Sequence, residues 1–295
     1  MTVNLQEIPR RKALTPEAFH RDYFKPQKPV VIEGITKNWP AYSKWNLDYM
    51  KQVAGDKEVP LYDDRPVQHE DGFNEPHARM KMAAYIDLLK SEPTRYRIFL
   101  WNILKEIPEL QKDFTYPSLG VKLMKGLPML FFGGEDSFTF MHYDIDLANI
   151  FHFHFDGTKD CTLFPQTENK LLYKVPHSLI THESINFSNP DYEEWPALKH
   201  VKGFKTRLNH GDALYIPEGY WHYMKYVTPG ISMSLRGIAR NPKNLFRAVY
   251  NVAVMRYFDN LMRKIKGQAW IDWKNQKAIR NTEKHLSELG PEVFL

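Results

Sequence analysis

The chain has 295 residues, 43% hydrophobic and 14% aromatic, which excludes disorder and allows one large domain with an appendage or two modest ones. Lysine and arginine exceed aspartate and glutamate by 40 − 35 = 5, an excess too small and scattered for a nucleic-acid binder. Cys161 is the single cysteine, the opening MTVNLQEIPRRKALTPEAF holds no apolar signal core, and no apolar run is long enough to span a bilayer; the expectation is a cytoplasmic protein without nucleic-acid or membrane partners.

Residues 1–125 read as alternating short helices and strands. Thr15 and Pro16 form an N-cap followed by proline at the first helical position. KPVVIEG (Lys28–Gly34) is a short buried strand ended by glycine, and YRIFLWN (Tyr96–Asn102) is another. NLDYMKQVAG and MKMAAYIDLLK have helical spacing, the second placing Met80, Ala83, Ala84, Leu88 and Leu89 near one face. Residues 126–240 are mostly β: PMLFFGG, FTFMHYD, NIFHFHF, CTLFP, GDALYIP, WHYMKYV and ISMSLRGIA are short runs between glycine, aspartate and proline, the pattern of a sandwich or barrel. Residues 241–295 turn helical. Asn241 caps, Pro242 starts the helix, and Phe246, Val249, Tyr250, Ala253, Tyr257 and Leu261 share a stripe; a second helix covers Trp270 to Leu286. The pair is either a brace on the β core or a homodimer surface, and both readings stay open.

The chemistry sits in His142-Tyr143-Asp144 and the later His222 of GDALYIPEGYWH. Residues two apart on a strand project to one face, so His142 and Asp144 can grip one ion, and a third ligand from a distant strand completes the set. Two imidazoles and one carboxylate leave three positions open, the arrangement non-haem Fe(II) uses to activate oxygen. Alone, H-x-D is a weak signal. Its position between β segments, and the glycine and proline turns before His222, strengthen it.

FTFMHYD, GTKDCTLFP and GDALYIPEGYWH together resemble the JmjC-type, cupin-like oxygenases, nearest in motif to the asparaginyl hydroxylase of hypoxia-inducible factor. PVVIEGITKNWPAYSKW and NPDYEEWP extend the resemblance over roughly residues 20 to 240. It implies a mainly β core, a double-stranded β-helix (cupin or jelly roll), with an N-terminal α/β surround over residues 1–125, the catalytic core over 126–240 and a C-terminal helical segment over 241–295. It implies Fe(II) held by His142, Asp144 and His222, with 2-oxoglutarate as cosubstrate. Lys159 would pair with the distal carboxylate and Thr139 would hydrogen-bond it. Asn149 is implied as an active-site strand residue.

The chain also departs from the family. Phe99 stands where the hydroxylase has a tyrosine, removing a hydroxyl donor that Tyr96, Tyr143 or Tyr215 could replace. Lys159 lies slightly farther from His142 than in the family pattern. Arg236 replaces an asparagine and is either a carboxylate anchor, for cosubstrate or an acidic substrate, or an outward-facing edge residue. Thr181 and His182 fall where the hydroxylase contacts its peptide, so its substrate does not carry over. In NIFHFHF the alternation places Phe151, Phe153 and Phe155 in the barrel, with His152 and His154 on the outer face. His177 and His182 read as exposed loop histidines. The expected activity is hydroxylation of an unactivated C–H bond of a small molecule, amino acid or protein side chain. The alternatives are a silent JmjC-like binding or sensor module and a cupin enzyme not using 2-oxoglutarate.

Overall fold

The computed structural model describes residues 4–66, 68–71 and 75–289. Its strands in chain order are β1 (Asn4–Glu7), β2 (Arg10–Lys12), β3 (Val30–Glu33), β4 (Glu58–Leu61), β5 (Ala78–Lys81), β6 (Arg97–Asn102), β7 (Met129–Gly133), β8 (Phe138–His142), β9 (Asn149–Phe164), β10 (Lys202–Leu208), β11 (Asp212–Ile216) and β12 (Trp221–Gly237).

Two long strands organise the molecule. β9 and β12 pair antiparallel from Trp221 opposite Phe164 to Gly237 opposite Asn149. Midway the register shifts, and both strands bend together there. Glycine is required at the bend. Gly157 has φ +74, and a Cβ on it would lie 2.2 Å from the Pro229 carbonyl oxygen; a Cβ on Gly230 would lie 2.2 Å from that of Asp156.

On one side of the bend, β9 carries β11, β3 and β2 while β12 carries β7 and β6. On the other, β9 carries β10 and β1 while β12 carries β8. The two faces enclose an interior, which is the expected double-stranded β-helix.

The larger face is covered from outside by the N-terminal segment. Phe19 packs on Phe151 with ring centroids 5.5 Å apart, Trp39 on Phe153 at 5.0 Å and Trp45 on Phe155 at 4.8 Å. This corrects the expected sidedness of NIFHFHF: its phenylalanines fill the layer outside the sheet, and its histidines point into the roll. Alternation fixes which residues share a face; the N-terminal cover, burying about 2–3 kcal/mol of apolar surface per ring, decides which face is inside.

Several local expectations have direct counterparts. The Thr15 side chain caps Pro16–Phe19 by accepting from the Ala18 amide, and Asn241 caps Pro242–Tyr250 by accepting from the Lys243 amide. The helix Met82–Ser91 buries Met82, Tyr85, Ile86 and Leu89; Met80 belongs to β5 and Ala84 is exposed, so the expected face is rotated.

At the C-terminus, Pro242–Tyr250 continues through a π turn (Asn251–Met255) into Arg256–Lys266, and Gly267 reverses the chain into Gln268–Glu288. Ala248, Asn251, Met255 and Asp259 face the core, and the stripe from Phe246 to Leu261 faces solvent. Asp259 ties the hairpin together, accepting from Trp270 Nε1 at 2.8 Å, Lys274 Nζ at 2.6 Å and Arg263 Nε at 2.9 Å. Among the described residues no helix is long and apolar enough to cross a membrane.

Candidate metal centre

His142 ends β8, Asp144 lies two residues beyond it, and His222 lies opposite His142 near the start of β12. One ligand atom from each side chain lies within 4.8 Å of the others. Asp144 Oδ1 is 3.6 Å from His142 Nε2 and 3.8 Å from His222 Nε2. The other ring nitrogens face backbone carbonyls: His142 Nδ1 lies 2.7 Å from Phe140 O and His222 Nδ1 lies 3.2 Å from Tyr220 O. With Nδ1 as donor, each Nε2 turns its lone pair toward the shared space, as a metal ligand must.

Electrostatics prepares the same donor set. Burial, with the other imidazole beside it, pushes His142 down to about 3, and burial also lowers His222, so both rings are neutral at physiological pH. Burial opposes ionisation of Asp144, but Arg236 and the two histidines outweigh it and bring the carboxyl down to about 2. Two neutral imidazoles and one carboxylate suit a divalent first-row ion. The strand bearing His222 is pinned from its other side by Trp221, whose Nε1 donates to Asn169 at 2.5 Å.

Arg236 is buried and lines the cavity, but it is engaged within the chain. It donates to Asp144 Oδ2 at 2.7 Å and binds Asp146 with both Nη2 and Nε. Arg236 thus steadies the Asp144 carboxylate and leaves its Oδ1 facing the two imidazoles, instead of anchoring a cosubstrate as one reading of the sequence had it.

The centre opens on a cavity of about 460 Å³ whose wall includes Thr139, Ile150, His152, Lys159, Tyr226 and Ser234. Lys159 is buried and has no carboxylate partner among the described residues: its Nζ is 2.9 Å from Ser232 Oγ, 3.2 Å from His152 Nε2 and 4.0 Å from the Tyr226 ring centroid. Burial holds the ammonium down to about 7. His222 and Tyr226 are four residues apart on β12, about 13 Å at ~3.3 Å per residue. That separation suits a five-carbon dicarboxylate reaching from the metal end toward a lysine extending back to meet it.

Asn149 does not belong to this site. It lies on the outward face of β9, accepting from Tyr215 Oη at 2.7 Å and donating to the Ile238 carbonyl at 3.3 Å. It shares parity with Phe151, so the same cover that takes the phenylalanines takes Asn149. Tyr215 faces outward with it, whereas Tyr143 and Phe99 line the cavity.

His177 also reaches the wall, its ring 5.0 Å from Phe258, while His182 packs on Trp195 at 4.8 Å away from the cavity. Tyr226, His152 and Arg97 are cavity residues that the sequence reading missed. Tyr226 had a signal, lying four residues past His222 on one strand. Met255, Asp259 and Arg263 bring the C-terminal helix to the mouth, which no local pattern announces.

Residues 16–264 match the family model of the cupin-like domain. The chain is 28% identical over 242 residues to lysine-specific demethylase JMJ30 of Arabidopsis thaliana, covering 79% of this chain and 55% of the relative. It is 27% identical to lysine-specific demethylase 8 of Danio rerio, covering 78% and 58% respectively. It is 25% identical to tRNA wybutosine-synthesizing protein 5 of Gallus gallus, covering 78% and 76%. The match thus spans little more than half the length of the two demethylases.

Proposed function

The chain belongs to the cupin-like family of JmjC-type oxygenases, and on that premise we propose that it is an Fe(II)- and 2-oxoglutarate-dependent oxygenase hydroxylating an unactivated C–H bond. The observation that carries the reading is Lys159, a buried lysine on the wall of the same cavity as His142, Asp144 and His222, with no ion-paired carboxylate among the described residues. Burying an unpaired ammonium is costly, and an entering carboxylate removes that cost.

In this reading His142, Asp144 and His222 hold iron, and Lys159 with Thr139 holds the distal carboxylate of 2-oxoglutarate. When bound, iron(II) supplies the redox chemistry, in which dioxygen, 2-oxoglutarate and a C–H bond give succinate, carbon dioxide and an alcohol. Arg236 keeps Asp144 ionised and oriented, and the apolar wall formed by Ile150, Phe131 and Met224 excludes water from the reacting end. The substrate in this reading is a small molecule, amino acid or protein side chain, the last of which the demethylase names among the relatives favour.

The test is succinate formation by anaerobically iron-loaded protein exposed to oxygen. Turnover in the wild type that vanishes in His142→Ala and Lys159→Ala supports the oxygenase. No turnover together with no 2-oxoglutarate binding would leave a silent module.

We also propose that the exposed helical stripe seats a second copy of the chain. Phe246, Val249, Tyr250, Tyr257, Leu261 and Ile265 are each 45–73% exposed. At roughly 130 Å² apiece they offer on the order of 800 Å², what one partner contributes to a standard interface.

A further inference from the structure

The charges on the cavity wall do not balance. Among the described residues the wall carries three carboxylates, and each has its cation: Asp144 and Asp146 are held by Arg236, and Asp259 by Arg263 and Lys274. Arg97, on β6, lies on the same wall, 7% exposed and with no ion-paired carboxylate among the described residues. Its Nη1 donates to the Asp63 carbonyl at 2.9 Å, and its Nε has no hydrogen-bond partner. The acids whose charge reaches it are turned to other partners, Asp63 to His77 and Asp64 to Arg95. Burial holds the guanidinium down to about 10. With Lys159 given to the cosubstrate, Arg97 is the cation left over.

The two cations serve different parts of the cavity. The charge of Arg97 is felt at His142 and does not act on Lys159, which places it toward the metal centre. Much of the remaining wall is apolar, with Phe99, Leu100, Phe131, Leu179, Ile180 and Met255. A ligand that is apolar in bulk and negative in charge matches this lining: its body leaves water, and its carboxylate accepts from the guanidinium. A protonated lysine or arginine side chain finds no unpaired acid here among the described residues. Aromatic faces alone can hold an ammonium, but the charge of Arg97 opposes one, and burial leaves that repulsion poorly screened.

We propose that the substrate to be oxidised is an apolar carboxylic acid whose carboxylate Arg97 binds near the metal centre, and that the cavity rejects ammonium and guanidinium side chains. The inference names the substrate class of the proposed oxygenase and rests on that reading. It separates this chain from the lysine substrates in the names of its demethylase relatives.

The experiment is isothermal titration of anaerobic protein, first loaded with Mn(II) and saturating 2-oxoglutarate, with octanoate, octanamide and octylammonium, which share a chain length and differ in charge. Octanoate is expected to bind about 10-fold or more tighter than octanamide, as one hydrogen bond to a charged group supplies, and octylammonium more weakly than either. Arg97→Gln should bring octanoate down to the level of octanamide. Arg97→Lys, which keeps the charge and guards against a folding defect, should preserve the order of the three. Octylammonium binding as tightly as octanoate, no octanoate binding by the wild type, or a preference that survives Arg97→Gln overturns the proposal. Uptake of 2-oxoglutarate is measured in the loading step, so each of those results leaves the oxygenase reading standing; a wild type that takes up no 2-oxoglutarate overturns both.

Discussion

Lys159→Met should make the metal-free protein more stable and unable to bind 2-oxoglutarate. Burial holds the Lys159 ammonium at about 7 against an ordinary 10.5. The difference, 10.5 − 7 = 3.5, corresponds to about 5 kcal/mol at ~1.36 kcal/mol for each. Methionine has similar volume and no charge, so it removes that penalty. It also removes the contacts to Ser232 and the Tyr226 ring, about 1 kcal/mol each. A net gain of roughly 2–3 kcal/mol remains, or about 3–5 °C in Tm for a chain of this size. The pH dependence has a definite sign. The unfolded lysine keeps its proton up to about 10.5 and the folded one only up to about 7, so the unfolded state binds more protons between them. Wild-type stability therefore rises across that window. The advantage of Lys159→Met is complete below pH 7 and fades toward pH 10. Of the neighbours facing Lys159, His154 is held at about 3, His152 well below its ordinary value, Cys161 is pushed up to about 12 and Tyr226 is raised further, so none titrates in that window. Thermal unfolding of chelator-treated protein at pH 6, 7, 8 and 9 is the assay. A variant that melts below wild type at pH 6, or a gain that does not shrink with pH, refutes the reasoning.

Arg236→Met leaves the half-buried Asp144 and Asp146 without their cation, and should destabilise metal-free protein by about 2–3 kcal/mol at neutral pH. Added Mn(II) should recover part of that loss, read as a larger metal-induced Tm rise than in wild type. Gly157→Ala should cost at least about 3 kcal/mol in chemical unfolding, because φ +74 and the 2.2 Å approach of the Pro229 carbonyl both oppose a side chain. Light scattering should report a dimer for wild type, and Phe246→Glu with Tyr257→Glu should shift it to monomer with succinate formation retained; a monomeric wild type removes the proposed contact. Asp144→Ala should abolish Mn(II) binding in titration, since it removes the one anionic donor of the three.

The candidate cluster of His142, Asp144 and His222 was visible in the sequence because its information is local: H-x-D places two of its side chains on one face by strand parity, and turn glycines frame the third. Helix caps at Thr15 and Asn241 were legible for the same reason, each being settled within a few residues. What lay beyond reach was absolute sidedness. NIFHFHF shows two alternating sets without saying which one meets the N-terminal aromatics, so Asn149 and the phenylalanines turned outward while His152 turned in. Arg236 was visible as an inward or outward arginine, but its bond to Asp144 depends on β12 being folded over β8. Arg97 carried no signal at all, since its place on the cavity wall depends on β6 pairing with β7, which only the closed roll brings about. Composition and spacing determine which residues share a face; the covering of each face, and hence which charges are left to meet a ligand, is decided by the packing of segments far apart in the chain.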